Sequence, residues 1–487
     1  MFGYTNNGDC MKNYSIWKEG VQLPEFEPLD KNIEVDVLII GGGMTGINTL
    51  YQLTDSPLKV VLVEQNKLGM GVTVNSTGKL TYLQDSLYEK ISKNCNKEGA
   101  SKYLASQREA IDLAVDIIKK EKIDCNLLKA PSYVFAGNEE EVKKLDELKK
   151  FLEDNQIQVI EGKRDLIEYQ KMIGVEDTYI FHPLKYLQGL VSKIDKKNIY
   201  ENTAIQKMEK IDDGYLCLTN HDCEIKAKLV VIASHYPYFN LPFLFPIKGS
   251  LEKSYLSASK YKEDNISLIK YSMPIISMRS HLDYLLYLSN SHQISSKVDD
   301  KEHYDELRKK VSDLGLEPEF MWSNTDIMTN DGLPYIGRID DKLLLGTGYN
   351  TWGMTNGIMA GKILADIILE KENDYIDLFQ PQRMNLGMVS GALADGYYSV
   401  SGIVNGMVHQ QEKVRYDKVG GKEIAIYEDE KGKHQVYTKC PHMGCRLVFN
   451  EIEKTWDCPC HASRFDIDGK CISGPSNSDI GVYQDEG

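Results

Sequence analysis

The chain has 487 residues, 42% hydrophobic and 26% charged, the balance of an ordinary globular protein large enough for roughly two to four domains. Its net charge of −15, with no basic stripe, argues against nucleic acid or an anionic membrane surface as the main partner. The first twenty residues hold no apolar core of signal-peptide length, and the longest apolar runs, such as residues 37–40 and 229–233, are strand-sized, so no membrane span and a cytoplasmic location are expected. Ten cysteines are present, five of them within residues 440–471. Such clustering points to a metal site and not to a secreted disulfide framework.

In chain order, VDVLII at 35–40 reads as a strand buried on both faces, because continuous β-branched runs suit a parallel sheet. Gly41-Gly42-Gly43-Met44-Thr45-Gly46 follows and opens a helix reaching about residue 53; residues 59–63 form a second strand ending in Glu64. Residues 87–122 and 138–154 are Lys/Glu-rich and helically periodic, with the strand SYVFAG at 132–137 between them. Residues 204–208, 215–219 and 224–227 predict a small antiparallel meander, and LVVIAS at 229–234 another buried strand. Residues 246–324 return to mixed strand and helix. A strand at 342–345 leads into GTGYNTWGMTNG at 346–357 and a helix to about residue 370, after which 371–412 connect to short strands and turns over about 415–487.

Gly41-x-Gly43-x-x-Gly46 stands directly between a strand and a helix. The first glycine permits the tight turn, the second lets the backbone approach a pyrophosphate, and the third allows close helix–strand packing. Glu64, eighteen residues beyond Gly46, ends the second strand, where a carboxylate can accept from both ribose hydroxyls. This is a dinucleotide site. Its spacing leaves FAD and NAD equally open, and no second fingerprint of that context is present.

The blocks VDVLIIGGGMTGINTLYQL (35–53), VVLVEQNKLGMGVTVNSTGK (60–79), HPLKYLQGL (182–190), KLVVIASHYP (228–237) and TNDGLPYIGRI…LLLGTGYNTWGMTNG (329–357) resemble the FAD-dependent D-amino-acid oxidase, glycine oxidase and sarcosine oxidase superfamily, closest to its gamma-glutamylputrescine oxidoreductase-like branch. The resemblance covers about the first 375 residues. It implies FAD, held by Gly41, Gly43, Thr45, Gly46 and Glu64, with Ile205 against the adenine side and Ala233 near the pyrophosphate. Gly348, Trp352, Gly353 and Met354 would close over the flavin, and Asp331, Gly332 and Pro334 lie in the motif before them. Lys79 would run past the flavin ring, and Trp352 is a further catalytic candidate. Arg279 lies where a substrate domain offers a carboxylate clamp, bidentate geometry suiting arginine; Lys248 is an alternative, and His235 reads as a structural histidine. The fold class implied is an α/β FAD-binding Rossmann-like domain (1–80, 185–245, 325–375) with an inserted α+β substrate domain (81–184, 246–324).

A linker (376–412) then leads to a small all-β domain (413–487). Here Cys440-Pro441-His442 is followed, sixteen residues after His442, by Cys458-Pro459-Cys460-His461. C-x-H with C-x-x-H is the pattern of a Rieske [2Fe–2S] cluster, two thiolates on one iron and two neutral imidazoles on the other. Zinc competes, since two cysteines and two histidines suit a tetrahedral site, but the spacing is not that of the usual zinc fingers. This region resembles the high-potential cytochrome bc-type Rieske proteins, which implies a disulfide between Cys445 and Cys460 and a hydrogen bond from Ser463 to a bridging sulfide. Phe465 departs from that pattern, which has tyrosine; without the hydroxyl the potential should fall. Gly474-Pro475 resembles the loop that covers the cluster.

Together the two sites read as a relay that oxidises a C–N bond of a small amine or amino acid at FAD and passes electrons through the cluster to an unidentified acceptor. An electron carrier or redox sensor without a substrate is the alternative. A Rieske oxygenase needs a mononuclear iron and a large domain beyond the cluster, and only 26 residues follow His461.

Overall fold

The strand Ile33–Ile40 forms the middle of an eight-stranded sheet in the computed structural model, which describes residues 11–237, 249–262, 265–294, 300–383 and 413–482. It runs parallel to Glu224–Ile232 on one side and Val60–Val63 on the other, and Val60–Val63 is in turn parallel to Ile199–Tyr200. Leu343–Thr347 lies parallel to the end of Glu224–Ile232, with Tyr335–Arg338 antiparallel beside it. The expected third meander strand and the LVVIAS strand are one element. The first half of Glu224–Ile232 alternates exposed and buried residues and takes the hairpin Ile205–Ile211/Gly214–Thr219; the second half is buried and takes parallel partners. A half-solvated face suits the antiparallel hairpin and a doubly covered one the parallel pairing.

Helix Met44–Gln52 leaves the glycine turn and packs against Gly353–Ile368. The approach is close because glycines face it: a Cβ on Gly361 would lie 2.5 Å from Cβ of Asn48. Helix Leu87–Glu121 covers the predicted span, with a break at Asn96, where φ is 67°. Glu139–Asp154 begins at Asn138, whose side chain accepts from the Glu141 N–H as an N-cap.

A second eight-stranded sheet runs in the order Pro318–Thr329, Gly249–Lys260, Tyr284–Gln293, Ser277–His281, Ser267–Lys270, Ser132–Ala136, Lys171–Val175, Ile160–Glu161. All its pairs are antiparallel except Ser267–Lys270 with Ser132–Ala136, which knits the two sequence segments of this region together. One face, with Leu256, Ala258, Leu286, Phe320 and Trp322, packs on Trp17, Val74 and Leu184 toward the first sheet's loops. The other, with Tyr255, Met278, Leu285 and Met321, is covered by Tyr304, Leu307 and Val311 of helix Asp300–Asp313.

The last region is all β. Arg415–Val419, Lys422–Asp429 and Gly432–Tyr437 form one antiparallel sheet; Val448–Asn450, Thr455–Asp457, Arg464–Asp466 and Cys471–Ser473 form another. Phe449, Trp456, Phe465 and Val436 fill the core between them, each large apolar side chain contributing about 1.5–3 kcal/mol by leaving water. Residues 384–412 of the expected linker, and Lys248, lie outside the described residues. No helix among the described residues is long and apolar enough to cross a membrane.

Candidate functional site

The glycine turn shapes one end of a long cleft. Gly41 has φ +113°, and a Cβ there would come within 2.9 Å of the Ala233 backbone; a Cβ on Gly46 would lie 1.9 Å from the Gly41 carbonyl oxygen. No side chain fits at either position. Gly41, Gly43, Met44 and Thr45 therefore present backbone and a helix N-terminus to the cleft, the arrangement that holds a pyrophosphate. Glu64 also faces the cleft, its carboxylate accepting from the Gly42 N–H at 2.7 Å and the Asn66 N–H at 2.9 Å. Burial raises its pKa against these hydrogen bonds. Ile205 and Ala233 line the same wall, and Gly346, Tyr349, Gly353 and Met354 line the far side. A cradle without side chains, beside a buried carboxylate, fits a dinucleotide such as FAD.

Other predicted residues stand behind that wall. Gly348 (φ +76°) packs against Thr329, and Trp352, 8% exposed, caps helix Gly353–Ile368 within the core. Arg279 is not presented to the cleft as the expected clamp would be. It is fully buried: Nη1 donates to the carbonyls of Thr77, Gly78 and Phe181 at 2.7–2.9 Å, Nε donates to Ser280, and the guanidinium lies 4.8 Å from the Trp17 ring centroid. The left-handed turn at Gly78 aims these carbonyls inward, and Arg279 satisfies them. Lys79 is likewise internal, its Nζ donating to the Leu268 carbonyl and Ser277 Oγ, both at 2.8 Å, and burial followed by the Arg279 charge lowers its pKa to about 7.

The residues that carry the cleft onward include three named from sequence in other roles, His235, His461 and Gly474, and several the sequence did not single out. Ser234, His235 and Tyr236 continue the wall from Ala233, Asn324 and Thr325 add the edge of the second sheet, and His461, Ala462, Arg464, Ser473 and Gly474 close the far end. The dinucleotide cleft thus runs to a predicted cluster ligand. His235 is held by the Thr325 backbone and by Thr347, whose Oγ1 donates to the His235 carbonyl; burial lowers its pKa to about 4, keeping the ring neutral. The signal was present in SHYP directly after a buried strand, but the destination of His235 depends on contacts about a hundred residues away.

At the cluster end, Cys440 and Cys458 are free, buried and hydrogen-bonded to each other, and the rings of His442 and His461 lie 4.9 Å apart at 87°. Nδ1 of each histidine is buried with no hydrogen-bond partner, a costly state unless something ligates it. Burial lowers both imidazole pKa values, His461 to about 4, so both are neutral and able to bind a metal. Two thiols and two orphaned imidazole nitrogens fit a [2Fe–2S] cluster with mixed ligation. A disulfide joins Cys445 and Cys460, with Cα atoms 6.6 Å apart, tying the two ligand loops together; although the sulfurs of Cys445, Cys458 and Cys460 cluster, two are therefore unavailable as thiolates. Ser463 Oγ accepts from the Ser476 N–H at 3.1 Å, and a Cβ on Gly474 (φ +102°) would lie 2.5 Å from Cα of Ser463, so the covering loop lies against the ligand loop.

Two seams fasten this domain to the body. Beside the cleft, Asn66 Nδ2 donates to the carbonyls of Cys471 and Ile472 at 3.0 and 3.2 Å, and Asn477 Nδ2 donates to those of Ile205 and Gln206 at 3.3 and 3.1 Å. Farther along, Lys253, its side chain 8% exposed, bridges Asp300 at 2.9 Å and Asp457 at 2.8 Å. Arg464 pairs with Glu453 at 2.7 Å and Asp457 at 3.2 Å, and Glu453 also accepts from Tyr304 and Ser323. Burial alone would lower the Lys253 pKa and raise that of Glu453; the opposite charges overcome it and move each the other way.

Comparison with known proteins matches residues 36–367 to the FAD dependent oxidoreductase family and residues 405–484 to the Rieske [2Fe-2S] domain. The chain is similar, at 30% identity over 95% of its length and 96% of the relative's, to YhfW of Bacillus subtilis (strain 168), named as a Rieske 2Fe-2S iron-sulfur protein. It is 22% identical, over 77% of its length and 94% of the relative's, to the gamma-glutamylputrescine oxidoreductase of Escherichia coli (strain K12). Among solved structures, glycine oxidase from Geobacillus kaustophilus shares the fold with a TM-score of 0.59 at 18% identity, covering 72% of this chain and 99% of that one.

Proposed function

Because the chain belongs to the FAD dependent oxidoreductase family and ends in a Rieske [2Fe-2S] domain, we propose that it oxidises a C–N bond of an amine or amino acid and passes the electrons singly through the cluster to an external acceptor. Bound FAD supplies the two-electron chemistry, accepting a hydride equivalent as the substrate becomes an imine that water hydrolyses. The observation that carries this reading is the single cleft lined by Gly41 and Glu64 at one end and His461 at the other. The similarity to gamma-glutamylputrescine oxidoreductase supports an amine or amino-acid substrate.

The residues divide the work. Gly41, Gly43 and Glu64 hold the dinucleotide. Arg279 and Lys79 hold the segment at residues 77–80 against the second sheet, shaping the cleft without reaching it. Cys440, His442, Cys458 and His461 hold the cluster, whose class spans roughly −150 to +300 mV. Each ~59 mV between donor and acceptor changes a one-electron equilibrium tenfold, so most of that range draws electrons out of a flavin of lower potential.

The test is anaerobic mixing of the purified holoprotein with a panel of amines and amino acids, read as flavin bleaching, followed by turnover with artificial one-electron acceptors. A substrate that bleaches the flavin should still do so in Cys458→Ala, while turnover with a one-electron acceptor too large to enter the cleft stops. Full turnover in that variant removes the cluster from the path, and a panel that never bleaches the flavin favours an electron carrier without a substrate.

A further inference from the structure

The turn after the strand Glu224–Ile232 delivers Ala233, His235 and Tyr236 to three different surroundings. Ala233 backs onto the Gly41 turn, where a Cβ on the glycine would meet its backbone. His235 is fixed between Thr325 and Thr347. Tyr236, 9% exposed, crosses the boundary, and its ring lies 6.3 Å from that of His461 at an interplanar angle of 62°. Ser234 Oγ donates to the Tyr236 carbonyl at 3.3 Å, closing the turn. Tyr236 and His461 both line the dinucleotide cleft.

His442 has none of these neighbours. It is half-buried, does not line the cleft, and is flanked by exposed Pro441, Gly444 and Met443, the last 66% exposed. The two imidazoles, equally half-buried and set edge to face 4.9 Å apart, therefore differ in their surroundings: His461 lines the dinucleotide cleft and His442 lies beside exposed loop residues.

We propose that electrons reach the cluster through His461, and that Tyr236 is the positioning residue for that step: its ring orients the imidazole and fills the space between cleft and ligand. The inference rests on the relay reading above. In each transfer the reduced flavin loses one electron and the cluster gains one; the external one-electron acceptor reoxidises the cluster before the second, and the proton lost by the flavin over both steps passes to water. An edge-on aromatic contact suits this role, because it fixes the ring with a directional attraction and no charge.

The experiment uses the holoprotein with both cofactors, under anaerobic conditions, with the flavin reduced by light in the presence of EDTA so that no substrate is needed. Cluster reduction is followed by absorbance and by freeze-quench EPR. In Tyr236→Leu, which keeps apolar volume without a ring, transfer from flavin to cluster should slow by roughly tenfold or more, a barrier change of the size that a lost orienting contact produces. The g-values of its chemically reduced cluster should shift as His461 reorients, at unchanged iron content. Tyr236→Phe should restore both rate and spectrum. Wild-type transfer and an unshifted spectrum in Tyr236→Leu overturn the proposal, as does a Phe variant as slow as Leu. A wild-type cluster that stays oxidised beside reduced flavin is a separate outcome, and it sinks the relay reading itself.

Discussion

The two seams that join the cluster domain to the body are built from opposite materials. Beside the cleft the joint is neutral: two asparagine amides donating to backbone carbonyls, and one aromatic ring against another. The other is a buried network of Lys253, Asp300, Asp457, Arg464 and Glu453, of which Arg464 reaches the cleft. Buried ion pairs return little net stability after desolvation, but breaking one leaves a charge with nowhere to go, so they punish misalignment strongly. Neutral amides penalise it weakly. Misalignment would therefore cost most at the charged seam, while the neutral seam holds the domain beside the cleft without adding charge of its own.

The largest effect should come from breaking the charged seam. Arg464→Ala leaves Glu453 buried without its paired cation and Asp457 with Lys253 alone, and should cost about 3–5 kcal/mol, read as a lower urea midpoint for loss of cluster absorbance. An unchanged midpoint would show that the network is ornamental.

Acid should separate body from seam. Burial, followed by the charges of Arg279, His182 and Lys185, holds His281 down at about 2; burial, with Lys185 and Arg279, holds His182 at about 3. The unfolded chain therefore takes up protons first, and stability is lost as pH falls below about 6.5, by about 1.4 kcal/mol per pH unit for each histidine. Glu453 is held low, so its contribution is present above about 4.5, its ordinary value, and is lost only below it. Melting temperature between pH 7.5 and 5 should fall with a slope that flattens in His281→Gln; an identical slope in that variant would remove His281 as a cause.

The smallest effect belongs to the neutral seam. Asn66→Ala and Asn477→Ala should each cost about 1 kcal/mol and add, since they bond different strands. A double variant as damaging as Arg464→Ala would reverse this division of labour between the seams.

What the sequence makes legible follows from distance along the chain. The glycine turn and the C-x-H and C-x-x-H boxes are local patterns whose geometry is set within a few residues, and they appear where spacing placed them. Arg279 was read from its position in a family-like block as a clamp, but its environment is set by the turn at Gly78 and the carbonyl of Phe181, both about a hundred residues or more upstream. Tyr236 lies in the KLVVIASHYP block but nothing there assigns it a role; its meaning comes from meeting His461, far down the chain. The charged seam was equally hidden, because Glu453 and Arg464 read as ordinary surface charges until Tyr304 and Ser323 are brought against them.

The parallel pairing of Ser132–Ala136 with Ser267–Lys270 has a consequence for biosynthesis. The second sheet cannot finish until its edge strand Pro318–Thr329 has emerged, and the first cannot finish until Leu343–Thr347 has. Yet the described residues that the body offers to the cluster domain, Gln65, Asn66, Tyr236, Lys253, Tyr304 and Ser323 among them, precede that point. Domains fold as units, in order of synthesis. The ribosome therefore completes the docking platform before the first cluster ligand, Cys440, is made, and the iron–sulfur assembly machinery meets a ligand set whose berth already exists.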